Sequence, residues 1–330
     1  MRAQRGPTRA TRAFLFVCIA AVSAAACGGN PNKATTEPSA ARNITSVVAP
    51  TLTDNDVQFA WIAAQNVSSS QLQIGTSTGA SNILTTDVSN GTSFDWQHAA
   101  PGNYFIRVKS TSGSTTVTSA ELLLTVNSLK QVIEAFFFGT GPLALQASAQ
   151  TIWQGAPRGS TYQLLVKSSL SLATVQQAIQ QISSATNGQV TLTTTTIDTL
   201  PASVQGHQIL VWDDLAICSG IISPGNENVI GVTCGRFVDS SGFSGGIVAL
   251  SISGRNLAVE LHELCHAVFI AQHIASSLGG VDTVMSPVNF NGNSNIPFSP
   301  YELAAIRAVY ASSVNPFSTR AQFQAAGLVE

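Results

Sequence analysis

Leu261-His262-Glu263-Leu264-Cys265-His266 is an H-E-x-x-H pattern set inside a long apolar run. On an α-helix, histidines four residues apart lie about 40° apart around the axis and about 6 Å apart along it. Both imidazoles can then face one metal ion. Glu263 is turned about 100° from His262, where it reaches a metal-bound water rather than the metal. That arrangement suits zinc hydrolysis, in which the ion lowers the pKa of a water and the carboxylate takes its proton. Residues 257–270 are apolar nearly all round, the mark of a buried helix. Burying two histidines and a glutamate is costly without partners. A zinc ion supplies them, whereas an accidental match on a structural helix leaves that cost unmet.

Downstream come His273, then Val281-Asp282-Thr283-Val284-Met285-Ser286-Pro287, then Phe298-Ser299-Pro300-Tyr301-Glu302-Leu303-Ala304-Ala305-Ile306-Arg307-Ala308-Val309-Tyr310. This order resembles the metzincin metallopeptidases, and the closing S-P-x-E-L-x-A-I-x-x-x-Y run is most similar to matrixin-type or bacterial relatives. The likeness is specific over residues 257–310 and general from about 130 to 256. It implies an α+β zincin-type catalytic domain over 128–330, with zinc held by His262, His266 and His273. It makes Glu263 the general base and then the proton donor to the leaving amine, and Met285 a structural turn residue beneath the metal. Ser286-Pro287 stand where some relatives carry an oxyanion-stabilising tyrosine, so that charge falls to the zinc. An edge strand that pairs with extended substrate is expected near residues 246–251.

One departure decides the third ligand. The family pattern H-E-x-x-H-x-x-G-x-x-H has glycine where this chain has Phe269, and its last histidine falls one residue before His273. An unbroken helix would carry His273 about 10 Å beyond His266. The helix is therefore expected to end near Phe269 or Ile270 and the chain to reverse before His273. A bulky residue at positive φ would be strained there. Asp282 and Glu302 are the other candidates, but Asp282 must fold back. Glu302 falls in the first turn of a C-terminal helix, where the dipole favours a carboxylate without any metal.

Residues 1–27 read as a signal, with Arg2, Arg5, Arg9 and Arg12 ahead of an apolar segment too short to span a membrane. The junction Ala24-Ala25-Ala26-Cys27-Gly28-Gly29 resembles a bacterial lipoprotein signal, with Cys27 the lipidated first residue. Ordinary cleavage near Ala26 is the alternative. Residues 28–44 are polar, with Pro and Gly, and read as a flexible tether. Short alternating strands at 57–61, 71–74, 104–108 and 120–126 predict a β-sandwich over 45–127. With Trp61 and Tyr104-Phe105-Ile106-Arg107-Val108 it resembles a fibronectin type III module, an immunoglobulin-like all-β fold. Beyond it, strands are expected at 162–167, 190–195, 207–212, 229–233 and 247–251, and a helix at 172–183.

Composition fits an exported protein, with charged residues only 10% of the chain. Without the four leader arginines the balance is 11 basic against 17 acidic residues, a net of −6, so no nucleic-acid partner is expected. Outside the leader lie Cys218, Cys234 and Cys265, and in an oxidising compartment Cys218 and Cys234 can pair. Cys265 is read as a small buried apolar side chain. The expectation is an exported zinc endopeptidase of the bacterial envelope, either an outer-membrane lipoprotein or extracellular, acting on protein or peptide. A non-catalytic surface adhesion protein with a degenerate zinc domain is the alternative. If Cys27 carries lipid, the mature protein should partition into detergent and Cys27→Ala should release it; a fully soluble protein with unmodified Cys27 would argue for plain secretion.

Overall fold

The computed structural model describes residues 37–145, 150–218, 229–251, 254–287 and 295–330. The signal and Cys27 lie outside them. The tether is shorter than expected. Ser39 pairs with Gln65, Ala41 is buried and the first strand opens at Arg42. Strand pairing uses backbone groups, which a polar sequence supplies as well as an apolar one.

Eight antiparallel strands follow: β1 (Arg42–Pro50), β2 (Asn55–Ile62), β3 (Ser69–Gly75), β4 (Leu84–Asp87), β5 (Ser93–Ala99), β6 (Gly102–Ser112), β7 (Thr115–Thr118) and β8 (Leu122–Val126). One sheet has the order β1-β2-β5; the other has β4-β3-β6-β7, with β8 also on β6. In β2 every second residue is buried, which puts Asn55, Val57, Phe59 and Trp61 on one face. Of these, Val57, Phe59 and Trp61 meet Leu72, Ile74, Ile106 and Val108 of the other sheet in one core. Trp96 bridges the layers, stacked near Phe59 and edge-on to Tyr104 at 4.8 Å. This is a β-sandwich.

The rest of the chain mixes helices with one sheet. Its elements are α1 (Leu129–Phe138), β9 (Ser160–Lys167), α2 (Leu172–Ala185), β10 (Val190–Ile197), β11 (Gln208–Trp212), a 3-10 turn at Leu215–Cys218, β12 (Gly231–Asp239) and β13 (Gly242–Leu250). Then come α3 (Leu257–Val268), a short hairpin of β14 (Ser277–Leu278) and β15 (Val281–Asp282), α4 (Pro300–Ala311) and α5 (Arg320–Ala325). The sheet order is β10-β9-β11-β13-β12, parallel except for the antiparallel edge strand β12. Alternate residues of β9, β11 and β13 join α2 and α3 in the main core, including Leu164, Val166, Ile209, Val211, Val248 and Leu250. Their neighbours Leu165, Leu210 and Trp212 form a small layer on the other side. The strand before the zinc-motif helix is thus interior, and the edge beside it is β12, with β10 at the far edge.

The helix α1 was not foreseen. Its Phe136-Phe137-Phe138 run is fully buried against Trp153, Phe269 and Phe323. Burying each such ring contributes about 1.5–3 kcal/mol, more than enough to fix a ten-residue helix that has little polar face.

The sandwich docks onto this region through α4 and the β14–β15 turn. The Tyr301 hydroxyl accepts from Asn127 N at 2.8 Å and donates to Asn55 Oδ1 at 3.3 Å, and Asn127 Oδ1 accepts from Gly279 N at 3.2 Å. Tyr301 and Asn55 are both buried, so neither partner can turn to water. Tyr301→Phe should therefore lower unfolding stability by about 2 kcal/mol, because it leaves a half-buried N–H and a buried amide oxygen unpaired. An unchanged urea midpoint would contradict this bridge.

Candidate metal centre

Asn256 opens α3 by accepting from Val259 N at 3.1 Å, and the helix carries His262, Glu263 and His266 as the spacing required. Its last residue is Val268, with Phe269 still in right-handed geometry and Ile270 at φ 55°. The left-handed step is therefore taken one residue after Phe269, at Ile270, which accommodates the extra residue before His273. A β-branched residue there costs about 1–2 kcal/mol.

Several hydrogen bonds hold it. Cys265 O accepts from Phe269 N at 3.0 Å and Ala271 N at 3.2 Å, Val268 O from Ala156 N at 2.7 Å, and Phe269 O from Trp153 Nε1 at 3.0 Å. Four bonds at about 0.5–1.5 kcal/mol each outweigh the strain. The chain after the turn is then stitched to the end of α1 and the segment following it. Gln272 N donates to Phe136 O, Leu145 N to His273 O and Ala275 N to Leu143 O, at 2.7, 3.1 and 2.9 Å. These strand-like contacts fix His273. They join residues more than 100 positions apart and left no local pattern.

The result is a triangle of Nε2 atoms: 3.0 Å from His262 to His266, 3.1 Å from His266 to His273 and 3.2 Å from His273 to His262. The other ring nitrogens set the tautomers. His262 Nδ1 donates to Val284 O and His266 Nδ1 to Ala271 O, each at 2.7 Å. Both Nε2 atoms therefore present lone pairs to the centre. Burial depresses all three histidine pKa values, that of His262 to about 3, so the rings are neutral. Neutral acceptors facing each other at 3.0 Å repel unless a cation lies among them. Donors on one tetrahedral zinc, with bonds of about 2.0–2.1 Å, are about 3.3 Å apart, close to the separations here. The three residues fit that ion and could hold it.

Glu263 is buried beside the triangle. The Thr233 hydroxyl on β12 lies 2.9 Å from its Oε2 and 2.7 Å from its backbone oxygen. Burial pushes the carboxyl pKa up to about 7, against the pull of Thr233. Gly231 makes this approach possible, since a Cβ there would lie 2.6 Å from Val259 Cγ1 and 3.0 Å from Glu263 Cγ. Thr233 was not singled out from the sequence; a threonine in a strand carries no signal of its own.

Asp282 is exposed on β15, outside the triangle. Glu302 is fully buried, and its carboxylate accepts from Val284 N, Met285 N and Ser299 N at 3.2, 2.9 and 2.9 Å. It caps α4 and clamps the turn that carries Met285 and receives His262. Met285 is itself buried, and its carbonyl accepts from Ile274 N beside the third histidine. Cys218 and Cys234 are joined by a disulfide with Cα atoms 5.8 Å apart, tying the 3-10 turn to β12. Cys265 is a free, buried thiol whose pKa burial pushes well above its ordinary value, an unreactive state.

No protein-family model and no curated protein matches this chain. The triangle makes a direct prediction. His273→Ala should weaken zinc binding at least about 100-fold in a chelator competition, because two histidines remain where three were needed. Wild-type affinity in that variant would remove His273 from the site.

Proposed function

We propose that this chain is a zinc-dependent endopeptidase, exported and held at a bacterial envelope through Cys27, acting on protein or peptide substrates. The metzincin likeness, and that of the sandwich to fibronectin type III modules, belong to the same proposal. The observation that carries it is the Nε2 triangle with a buried carboxylate anchored at its side. A purely structural zinc site is closed by four protein ligands and needs no general base. Here three histidines come together and Glu263 is not one of the ligands.

Zinc, when bound, would polarise the scissile carbonyl and acidify a water. Glu263 handles the protons. With Oε2 held by Thr233, Oε1 is left to accept a proton from the water and pass it to the departing amine nitrogen. A carboxyl pKa near 7 suits both transfers at neutral pH. The edge strand β12 runs beside α3, and its outer side, unpaired among the described strands, offers backbone N–H and C=O groups to an extended peptide. The adhesion alternative rests on the missing glycine and the displaced histidine; favouring the endopeptidase reading, the turn at Ile270 takes up the extra residue and His273 reaches the triangle.

Glu263→Gln should bind zinc stoichiometrically yet lose casein hydrolysis by about 100-fold or more, since it removes the base and spares the ligands. Turnover like that of the wild type would refute the assignment of the base.

A further inference from the structure

The edge strand β12 carries a defect that re-aims one side chain. Cys234 is paired with Ile247 and Phe237 with Gly245, so Gly235 and Arg236 together stand opposite Gly246. This is a β-bulge with glycine at its first position, and Gly235 has the φ of 62° that such a bulge requires.

On a regular strand, residues three apart point to opposite faces. The extra residue cancels one step, so Thr233 and Arg236 share a face. Thr233 marks that face as the zinc side through its contact with Glu263. The neighbours of Arg236 point away from it. A Cβ on Gly235 would lie 3.2 Å from the Ile247 side chain, which packs in the far layer with Leu165, Leu210 and Trp212. The Phe237 ring lies 3.5 Å from where a Gly245 Cβ would be, on that same far side. Arg236 is thus set on the zinc-helix side, about 7 Å along the strand from Thr233.

Nothing within the described chain uses the charge of Arg236. Arg236 is exposed and takes part in none of the four ion pairs found among the described residues. A guanidinium offers a planar fork of donors matched to a carboxylate. We infer that Arg236 is a specificity residue, selecting peptides that carry a carboxylate one or two residues from the bond to be cut. This rests on the endopeptidase reading above. The carboxylate can come from an Asp or Glu side chain or from a peptide C-terminus.

The test uses the full zinc-loaded chain and matched peptides with Glu or Gln at each of two positions on either side of the cleaved bond. A second pair compares a free C-terminal acid with its amide. At one position, or in the acid–amide pair, the wild type should favour the carboxylate about tenfold in kcat/KM. That ratio should fall to near one in Arg236→Gln, and Arg236→Glu should shift preference toward Lys. Equal rates for Glu and Gln in the wild type, or a preference that survives in Arg236→Gln, would overturn the inference. If the wild type cuts no peptide, the endopeptidase reading fails by itself. Anisotropy binding of the same labelled peptides to zinc-loaded Glu263→Gln then decides the role of Arg236. Carboxylate-dependent binding abolished by adding Arg236→Gln supports it, and binding indifferent to the carboxylate rejects it.

Discussion

Two imidazole nitrogens with no proton to share face each other at 3.0 Å on the buried helix α3, and a third closes the triangle. Their outward nitrogens are committed to carbonyl oxygens, so the inner lone pairs cannot be avoided by a change of tautomer. Burial keeps the rings neutral, which rules out relief by protonation at ordinary pH. A bound cation would turn this repulsion into attraction. Much of the surrounding structure can be read as what is needed to hold that unfavourable arrangement in place.

The holding groups come from across the chain. The end of α1 and the segment after it fix the backbone on both sides of His273, and Trp153 with Ala156 closes the helix end that lacks a glycine. Glu302 clamps the turn that accepts from His262, and its neighbour Tyr301 carries the contact to the sandwich. The sandwich therefore touches the loop between the third histidine and Met285, through Asn127 and Gly279. It is part of the scaffold around the centre as well as a module ahead of it. Edge strand β12 supplies the remaining side, with Gly231 admitting Glu263 and Thr233 anchoring it.

The sequence made the local part of this legible. H-E-x-x-H on an apolar helix, the S-P-x-E start of α4 and the alternation of β2, β3 and β6 are short-range patterns with one physical solution each. The turn at Ile270 was legible in position but not in mechanism. Counting residues located the bend, whereas two of the four bonds that stabilise a β-branched residue at positive φ come from Trp153 and Ala156, far away in sequence. Thr233, the double role of Glu302 and the helix α1 were hidden for the same reason. A threonine, a capping glutamate and a run of phenylalanines have ordinary local explanations, and their tertiary partners are invisible until the chain is folded. An open edge was expected near 246–251 without a strand to assign it to; it is β12, the neighbour of that strand, and strand order depends on pairings that alternation alone does not encode.

The most direct test is X-ray absorption at the zinc edge on purified protein carrying one equivalent of metal. The account predicts three imidazole nitrogens and one light oxygen scatterer, all at about 2.0 Å, with no sulfur. A sulfur shell from Cys265, or a site fitted by two imidazoles alone, would contradict it.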